Sequence, residues 1–443
     1  MCRNQKRLSM KAPRQDVMIP APVEAARNIK NVAALKILKK GSGPMVKNKM
    51  KISVPGFLAN GIAVGIKGSD KKDLGLIYST VPAKVAAVFT KNTFKAAPLL
   101  VDEGRVKKGI AQAIITNSGC ANAATGKEGY KDALAVSAAL SKEIKIKDEF
   151  VLVSSTGVIG QRLPLKKIES GIGKLVKGLN ETGIEDAEAA MMTTDKYPKI
   201  AIRKGVVGAK DITICGIAKG AGMIEPNMAT LLTYVMTDAL IDSKALSTVF
   251  HQVINSTFNS ISVDGCMSTN DMAIIMANGL AGNNPLEKVQ ARLQRFRDML
   301  SEVLTELCQA VVQDGEGATK FISIMVEGAK SKSDARSAAY AIANSNLVKT
   351  AFFGEDPNWG RIIAALGSSG ISMEKEKVSL SIGDMLVFNQ DSPVNINLNK
   401  LKELFQKSRI NVHVELGGGD KSYFVYTSDL SYDYVKINAD YST

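Results

Sequence analysis

Twice in the first half of the chain, an apolar run of strand length passes straight into a loop of small residues and then into helical spacing. "AQAIITN" (residues 111–117) leads into "SGCANAATG" and then "YKDALAVSAALSKEI". "FVLVSS" (150–155) leads into "TGVIG" and then "LPLKKIESGIGKLVKGL". Short runs rich in β-branched residues, bounded by glycine, read as buried strands, and the segments that follow carry helical periodicity. A chain of this texture must stack helices on the faces of sheets to bury both. The second half uses the same grammar. "TLLTYVMTDA" is strand-like, and "SKALSTVFHQVINSTFNSI" has helical spacing. "NPLEKVQARLQRFRDMLSEVLTELCQAVVQD" reads as one long amphipathic helix, with Asn284 as N-cap and Pro285 in its first turn. "TKFISIMVEG" reads as a strand, and "SDARSAAYAIANSNLVKTAFFG" as a helix followed by a strand. "VSLSIG", "NVHVELGGG" and "KSYFVYTSDLSYDYVKIN" are further strand candidates. The alternation is not strictly βαβ. The expected fold class is α/β, with mixed sheets and covering helices.

Charge invites a nucleic-acid reading, since the net charge is +14. Its distribution argues otherwise. Residues 1–50 hold 12 lysines and arginines against Asp16 and Glu24, a net of +10, which leaves +4 for the other 393 residues. No basic run in the body of the chain is interleaved with aromatics, so bases have no stacking platform. Residues 1–50 are expected to be a disordered basic leader; a transit peptide is the alternative, and a secretory signal lacks its apolar stretch. No apolar run suits a membrane span. The five cysteines are odd in number, spread out and without a C-x-x-C pair, which suggests a reducing cytoplasm rather than disulfides or zinc.

Chemistry is constrained by scarcity. There are two histidines, His251 in a helical stretch and His413 in a strand, and neither adjoins a candidate nucleophile. No G-x-S-x-G elbow, H-E-x-x-H spacing, Walker loop or dinucleotide fingerprint is present. Neither a metal nor a nucleotide cofactor is expected. A nucleophile without histidine is available where cutting exposes a threonine, whose own α-amine then acts as base. "KGAGMIEPNMATLLTYVMTDA" sets Thr230 after a run of turn-forming residues and before a strand. Attack of its hydroxyl on the carbonyl of Ala229 would give an ester that water hydrolyses. A β-branched residue opening a strand is also ordinary packing.

Other loops add to this. Thr156-Gly157 in "STGVIG" suits a developing oxyanion. "TNSGCANAATG" offers Asn117, Ser118 and Asn122, and "SVDGCMSTNDM" crowds Asp264, Ser268, Thr269, Asn270 and Asp271 together. In "GEDPNWGR", Glu355 suits a substrate ammonium and Arg361 a carboxylate, or the two belong to a turn with its own salt bridge.

These stretches, with "MMTTDKYPK" and the closing "YDYVKINADYST", occur in the order seen in the glutamate N-acetyltransferase (ornithine acetyltransferase) family, which the chain closely resembles from about residue 51 onward. The resemblance implies a layered α/β sandwich of the autoprocessed N-terminal-nucleophile type. An α chain (51–229) and a β chain (230–443) would share sheets and assemble as two of each. It implies acetyl transfer from N2-acetyl-L-ornithine to L-glutamate in cytoplasmic arginine biosynthesis, through an acetyl-Thr230 ester. Acetyl-CoA serves some members as a further donor substrate. It places cleavage at Ala229-Thr230, the oxyanion residues at Thr156 and Gly157, and substrate binding at Thr193, Lys219, Thr230, Glu355, Asn438 and Thr443. Cys120, Ala124 and Met272 depart from the family's usual asparagine, cysteine and threonine. The rival readings are an autoprocessed aminopeptidase or amidohydrolase of similar architecture, and a basic binding protein.

Overall fold

The computed structural model describes residues 52–225 and 231–440. The whole of the expected leader (1–50), the cleavage pair Ala229 and Thr230, and Thr443 lie outside the described residues. Lys51–Thr443 form one compact unit. Its strands are β1 (Phe57–Ile62), β2 (Leu74–Phe89), β3 (Ile110–Cys120), β4 (Val151–Val158), β5 (Lys199–Val207), β6 (Lys210–Lys219), β7 (Leu232–Thr237), β8 (Ile261–Ser262), β9 (Met272–Ala277), β10 (Phe321–Ala329), β11 (Ser379–Ile382), β12 (Met385–Asn389), β13 (Ser392–Pro393), β14 (Arg409–Glu415) and β15 (Lys421–Ser428).

Two sheets result. The first has the order β4-β3-β2-β9-β7-β6-β5, with β1 paired to β2; the second is β13-β12-β11-β14-β10-β15-β8. Both are mixed: β3–β4, β7–β9 and β10–β14 run parallel, while β6–β7 and β2–β9 run antiparallel. Strands β7 and β9 follow residue 230 in the chain, yet they lie between β6 and β2, which precede it. Each half of the sequence therefore supplies strands to one sheet.

Period-two alternation makes these strands apolar on both faces. Along β9, Ala273, Ile275 and Ala277 enter one core, and Met272, Ile274 and Met276 the opposite one. The first of these cores joins Val235 and Ile275 to Phe250 and Leu304 of helices Ser243–Asn255 and Gln290–Gln313, and reaches Phe321 and Tyr426 of the second sheet. Those two helices therefore fill the space between the sheets. Helices Gly126–Ile144 and Leu165–Lys177 pack on the β2–β4 part of the first sheet, where Val136, Leu140, Ile168 and Leu175 meet Leu76 and Val153, while Ile184, Ala187 and Met191 of helix Ile184–Met191 join Ile77, Ile274 and Met276 in the core on the opposite face. Helices Lys332–Ala343, Asn346–Phe353 and Leu398–Gln406 cover the far side of the second sheet. The layered α/β sandwich follows from these faces.

Four segments differ from the sequence reading. The long helix begins at Gln290, not at Asn284. Leu286 is buried and its N–H donates to the carbonyl of Leu240, which pins the preceding turn, and Val289 is extended at φ −137°. "NLVKTAFF" is a helix rather than a strand: Val348, Ala351 and Phe352 share one buried face, and the Ser345 hydroxyl accepts from the Val348 N–H at its start. The C-terminal strand stops at Ser428, and Tyr432–Asp440 is helical. Finally, β3 and β4 continue into the glycine stretches that read as loops, with Gly119 opposite Gly157. No described helix is long and apolar enough to cross a membrane.

Candidate active site

The pairing of Gly119 with Gly157 creates the first wall of a cleft. Gly157 has φ +127°, and a Cβ there would lie 2.4 Å from the carbonyl carbon of Gly119. Only glycine permits this approach. It leaves Thr156 and Gly157 at the carboxyl end of β4, both lining a cavity of about 90 Å³. Asn270 ties this wall to the polar loop before β9: its side-chain amide donates to the carbonyls of Ala121 (2.6 Å) and Ser155 (2.8 Å). The Asn117 amide adds a bond to the Cys120 carbonyl at 2.9 Å, and the Ser155 hydroxyl donates to Asn117 Oδ1 at 2.6 Å.

The opposite wall comes from the end of β6 and the turn after helix Ile184–Met191. Lys219 Nζ donates to the Thr193 hydroxyl at 3.1 Å. Desolvation holds the Lys219 ammonium below the usual lysine range, against the pull of Asp195 and Asp271. Asp195 orders this wall. Its carboxylate accepts the N–H groups of Thr193 (3.0 Å) and Gly220 (2.7 Å), and Lys199 Nζ at 2.7 Å. Burial alone would raise Asp195, but Lys199 and then Lys219 hold it at about 2. Asp314 accepts from Lys199 at 2.6 Å, and the side chains of Lys199, Asp195 and Asp314 are all fully buried. Below them Glu188 is pushed up to about 8 by burial, and its Oε2 has no partner among the described residues.

Asn438, on the C-terminal helix, donates to Glu316 Oε2 at 2.8 Å, and both residues line the cavity. Asp264 anchors the segment that leads toward residue 226 by accepting the N–H groups of Met223 (2.7 Å) and Ile224 (2.8 Å). Met223 is left-handed at φ +58°, a conformation that costs a non-glycine residue about 1 kcal/mol. Leu231 and Leu232, which begin the described chain again, also line the cavity.

The structure thus brings Thr156, Gly157, Thr193, Lys219 and Asn438 to one cleft. Glu355 is not among its lining residues. Its carboxylate pairs with Lys320 Nζ at 2.7 Å, while Arg361 lies 3.9 Å from Asp356. Arg361 and Asp356 pair within the turn, while Glu355 reaches out of it to Lys320, just before β10. His251 bonds to the Ser247 carbonyl within its helix, and His413 meets Glu327 at 2.8 Å on the second sheet. Glu327, His413 and Glu415 present side-chain atoms within 4.8 Å of one another. Neighbouring register on β10 and β14 makes this cluster, and residues 86 positions apart gave no spacing by which to find it. Cys120, Cys215, Cys266 and Cys308 are unpaired thiols. Sequence reasoning also passed over Asp195, Glu188 and Glu316; the first was inside the quoted "MMTTDKYPK", whose paired acid and base were the available signal.

Residues 58–443 match the ArgJ family. The chain is 48% identical over 393 residues to the arginine biosynthesis bifunctional protein ArgJ of Geobacter sulfurreducens, covering 88% of this chain and 100% of that protein. The protein of the same name from Caldanaerobacter subterraneus is 47% identical over 398 residues, covering 89% and 98%. Among solved structures, the arginine biosynthesis bifunctional protein of Bacillus halodurans aligns with TM-score 0.46 and 39% identity, over 48% of this chain and 100% of that one. Ornithine acetyltransferase of Mycobacterium tuberculosis, complexed with ornithine, aligns with TM-score 0.36 and 37% identity, over 40% and 94%.

Proposed function

The chain belongs to the ArgJ family of arginine-biosynthesis enzymes, and from that premise we propose that it moves an acetyl group from N2-acetyl-L-ornithine to L-glutamate through an acetyl-Thr230 ester. The observation that carries the reading is the convergence of Thr156, Gly157, Thr193, Lys219 and Asn438 on a cleft that Leu231, the residue after Thr230, also lines. Cleavage between Ala229 and Thr230 gives the threonine a free α-amine, which takes the proton of the hydroxyl. The oxygen attacks the acetyl carbonyl, and Thr156 with Gly157 receives the oxyanion. Ornithine leaves, glutamate enters, and its amine takes the acetyl group. Both substrates are α-amino acids, so Lys219 and the Thr193 hydroxyl serve the same carboxylate in each half-reaction. In this reading cleavage separates an α chain (51–229, behind the leader) from a β chain (230–443), two of each assemble, the enzyme works in the cytoplasm, and acetyl-CoA is a further donor.

Intact mass under denaturing conditions tests it. Two fragments meeting at Ala229-Thr230 are expected, and Thr230→Ala should leave one chain with no transfer. A cleaved, active alanine variant would sink the reading. Capture of the acetyl group by glutamate, rather than release of acetate, separates acetyl transfer from amidohydrolysis.

A further inference from the structure

The polar loop before β9 holds one group that the scheme above leaves idle. Asp271 is 3% exposed and lines the cleft. Its Oδ2 has no partner among the described residues. A buried acceptor left bare costs about 1–3 kcal/mol, so an unpaired oxygen at a cleft wall calls for a partner that arrives with a ligand. The loop is not free to turn it away. The Asn270 amide is fastened to two carbonyls, and the Thr90 N–H donates to the Asp271 carbonyl at 2.9 Å. Parallel pairing sets Leu232 opposite Met272, and the Met272 N–H donates to the Leu231 carbonyl at 2.9 Å. Asp271 therefore stands beside the residue that follows the nucleophile.

We propose that Asp271 is a further catalytic residue, whose Oδ2 meets the amide nitrogen of an N-acyl amino acid in the cleft and carries the proton that this nitrogen gains on leaving. The inference rests on the acyl-transfer reading above. In the first half-reaction the bond from Thr230 oxygen to the acyl carbon forms and the carbon–nitrogen bond breaks. The hydroxyl proton goes to the Thr230 α-amine, and the Asp271 proton goes to the departing nitrogen. In the second half the incoming amine attacks the ester and returns a proton to the Asp271 carboxylate, while the α-ammonium gives its proton back to the threonine oxygen. Atoms and charge balance over the cycle. Burial keeps the Asp271 carboxyl well above the ordinary aspartate range, against opposing effects of Ser268 and Lys219. Burial thus favours the neutral, proton-bearing carboxyl, and the Lys219 ammonium favours the carboxylate formed between the two halves.

A leaving group that needs no proton isolates this role. In cleaved Asp271→Asn enzyme, transfer from N2-acetyl-L-ornithine should fall by about a hundredfold or more, while the burst of 4-nitrophenolate from 4-nitrophenyl acetate stays within about twofold of the parent. Equal losses with both donors would reduce Asp271 to a structural support, and an undiminished reaction with acetylornithine would remove it from the chemistry. If the asparagine chain does not fold or cleave, the unsubstituted enzyme decides. Rates across N-acetyl donors with amines of graded basicity should be nearly flat if a proton is delivered, and steep if it is not. Absence of an acetylated 230–443 chain with either donor, in the unsubstituted enzyme, would instead overturn the acyl-transfer reading itself.

Discussion

Beneath the cleft, Lys199 is enclosed by Asp195 at 2.7 Å and Asp314 at 2.6 Å, with every side chain of the trio fully buried. At the cleft wall, the hydrogen bond from Lys219 goes to a neutral hydroxyl, that of Thr193. The electrostatic outcomes are opposite. Burial would lower Lys199, but its two carboxylates more than offset this and raise it. Burial lowers Lys219, and the more distant carboxylates do not restore it. One region spends its charges on each other and becomes scaffold. The other keeps an ammonium, and in Asp271 a carboxyl oxygen, without ionic partners at contact distance, at a cost in desolvation that a carboxylate-bearing ligand would offset. Asp195 joins the two, because it accepts Lys199 on one side and the N–H groups of Thr193 and Gly220 on the other.

The largest effect should come from breaking the scaffold. Lys199→Met leaves Asp195 and Asp314 buried without a cation, and removal of one partner from such a cluster costs about 3–5 kcal/mol. Urea unfolding should show that loss, with turnover impaired as Asp195, the anchor of Thr193 and Gly220, loses the cation that holds it. Lys219→Met should instead leave stability within about 1 kcal/mol of the parent, since it removes a desolvated charge rather than stranding one, and raise KM. Comparable destabilisation by both substitutions would erase the distinction between the regions.

A smaller effect comes from pH. The folded state holds the Glu188 proton up to about 8, against an ordinary glutamate value of 4.5. Between those values the native chain binds more protons than the unfolded chain, so stability from this group is present below the lower value and is lost as pH rises through the higher. Glu188→Gln, which cannot ionise, should flatten the fall of unfolding free energy across that window by an amount on the order of a few kcal/mol. Identical pH slopes in parent and variant would show that Glu188 is charged in the fold.

Much of this was legible in the sequence, for reasons that also mark the limit. Strands β3, β4, β7 and β10 were readable because each is a run of β-branched and apolar residues bounded by turn formers. Thr156 and Gly157 were readable because the glycine interrupts such a run. "NLVKTAFF" was misread because eight apolar-rich residues fit either period, and the Ser345 cap that settles it is one residue in length. The buried cluster was invisible because Lys199 and Asp314 are 115 positions apart and meet only through the fold. The sharing of one sheet by strands on both sides of residue 230 came from the family resemblance and not from the pattern of residues.

Glu355 tests where the division between scaffold and site falls. Its carboxylate is 38% exposed and pairs with Lys320, which is 7% exposed and also donates to the Gln406 carbonyl at 3.2 Å. Such a half-exposed pair is worth about 1 kcal/mol or less, since solvent screens it and Lys320 keeps a second acceptor. Glu355→Gln should therefore shift the unfolding free energy by no more than that. The informative quantity is KM for N2-acetyl-L-ornithine. A several-fold rise at unchanged stability would place Glu355 with Lys219, as a group whose charge turns from Lys320 to a substrate ammonium. An unchanged KM would place it with Lys199, its charge wholly consumed within the fold.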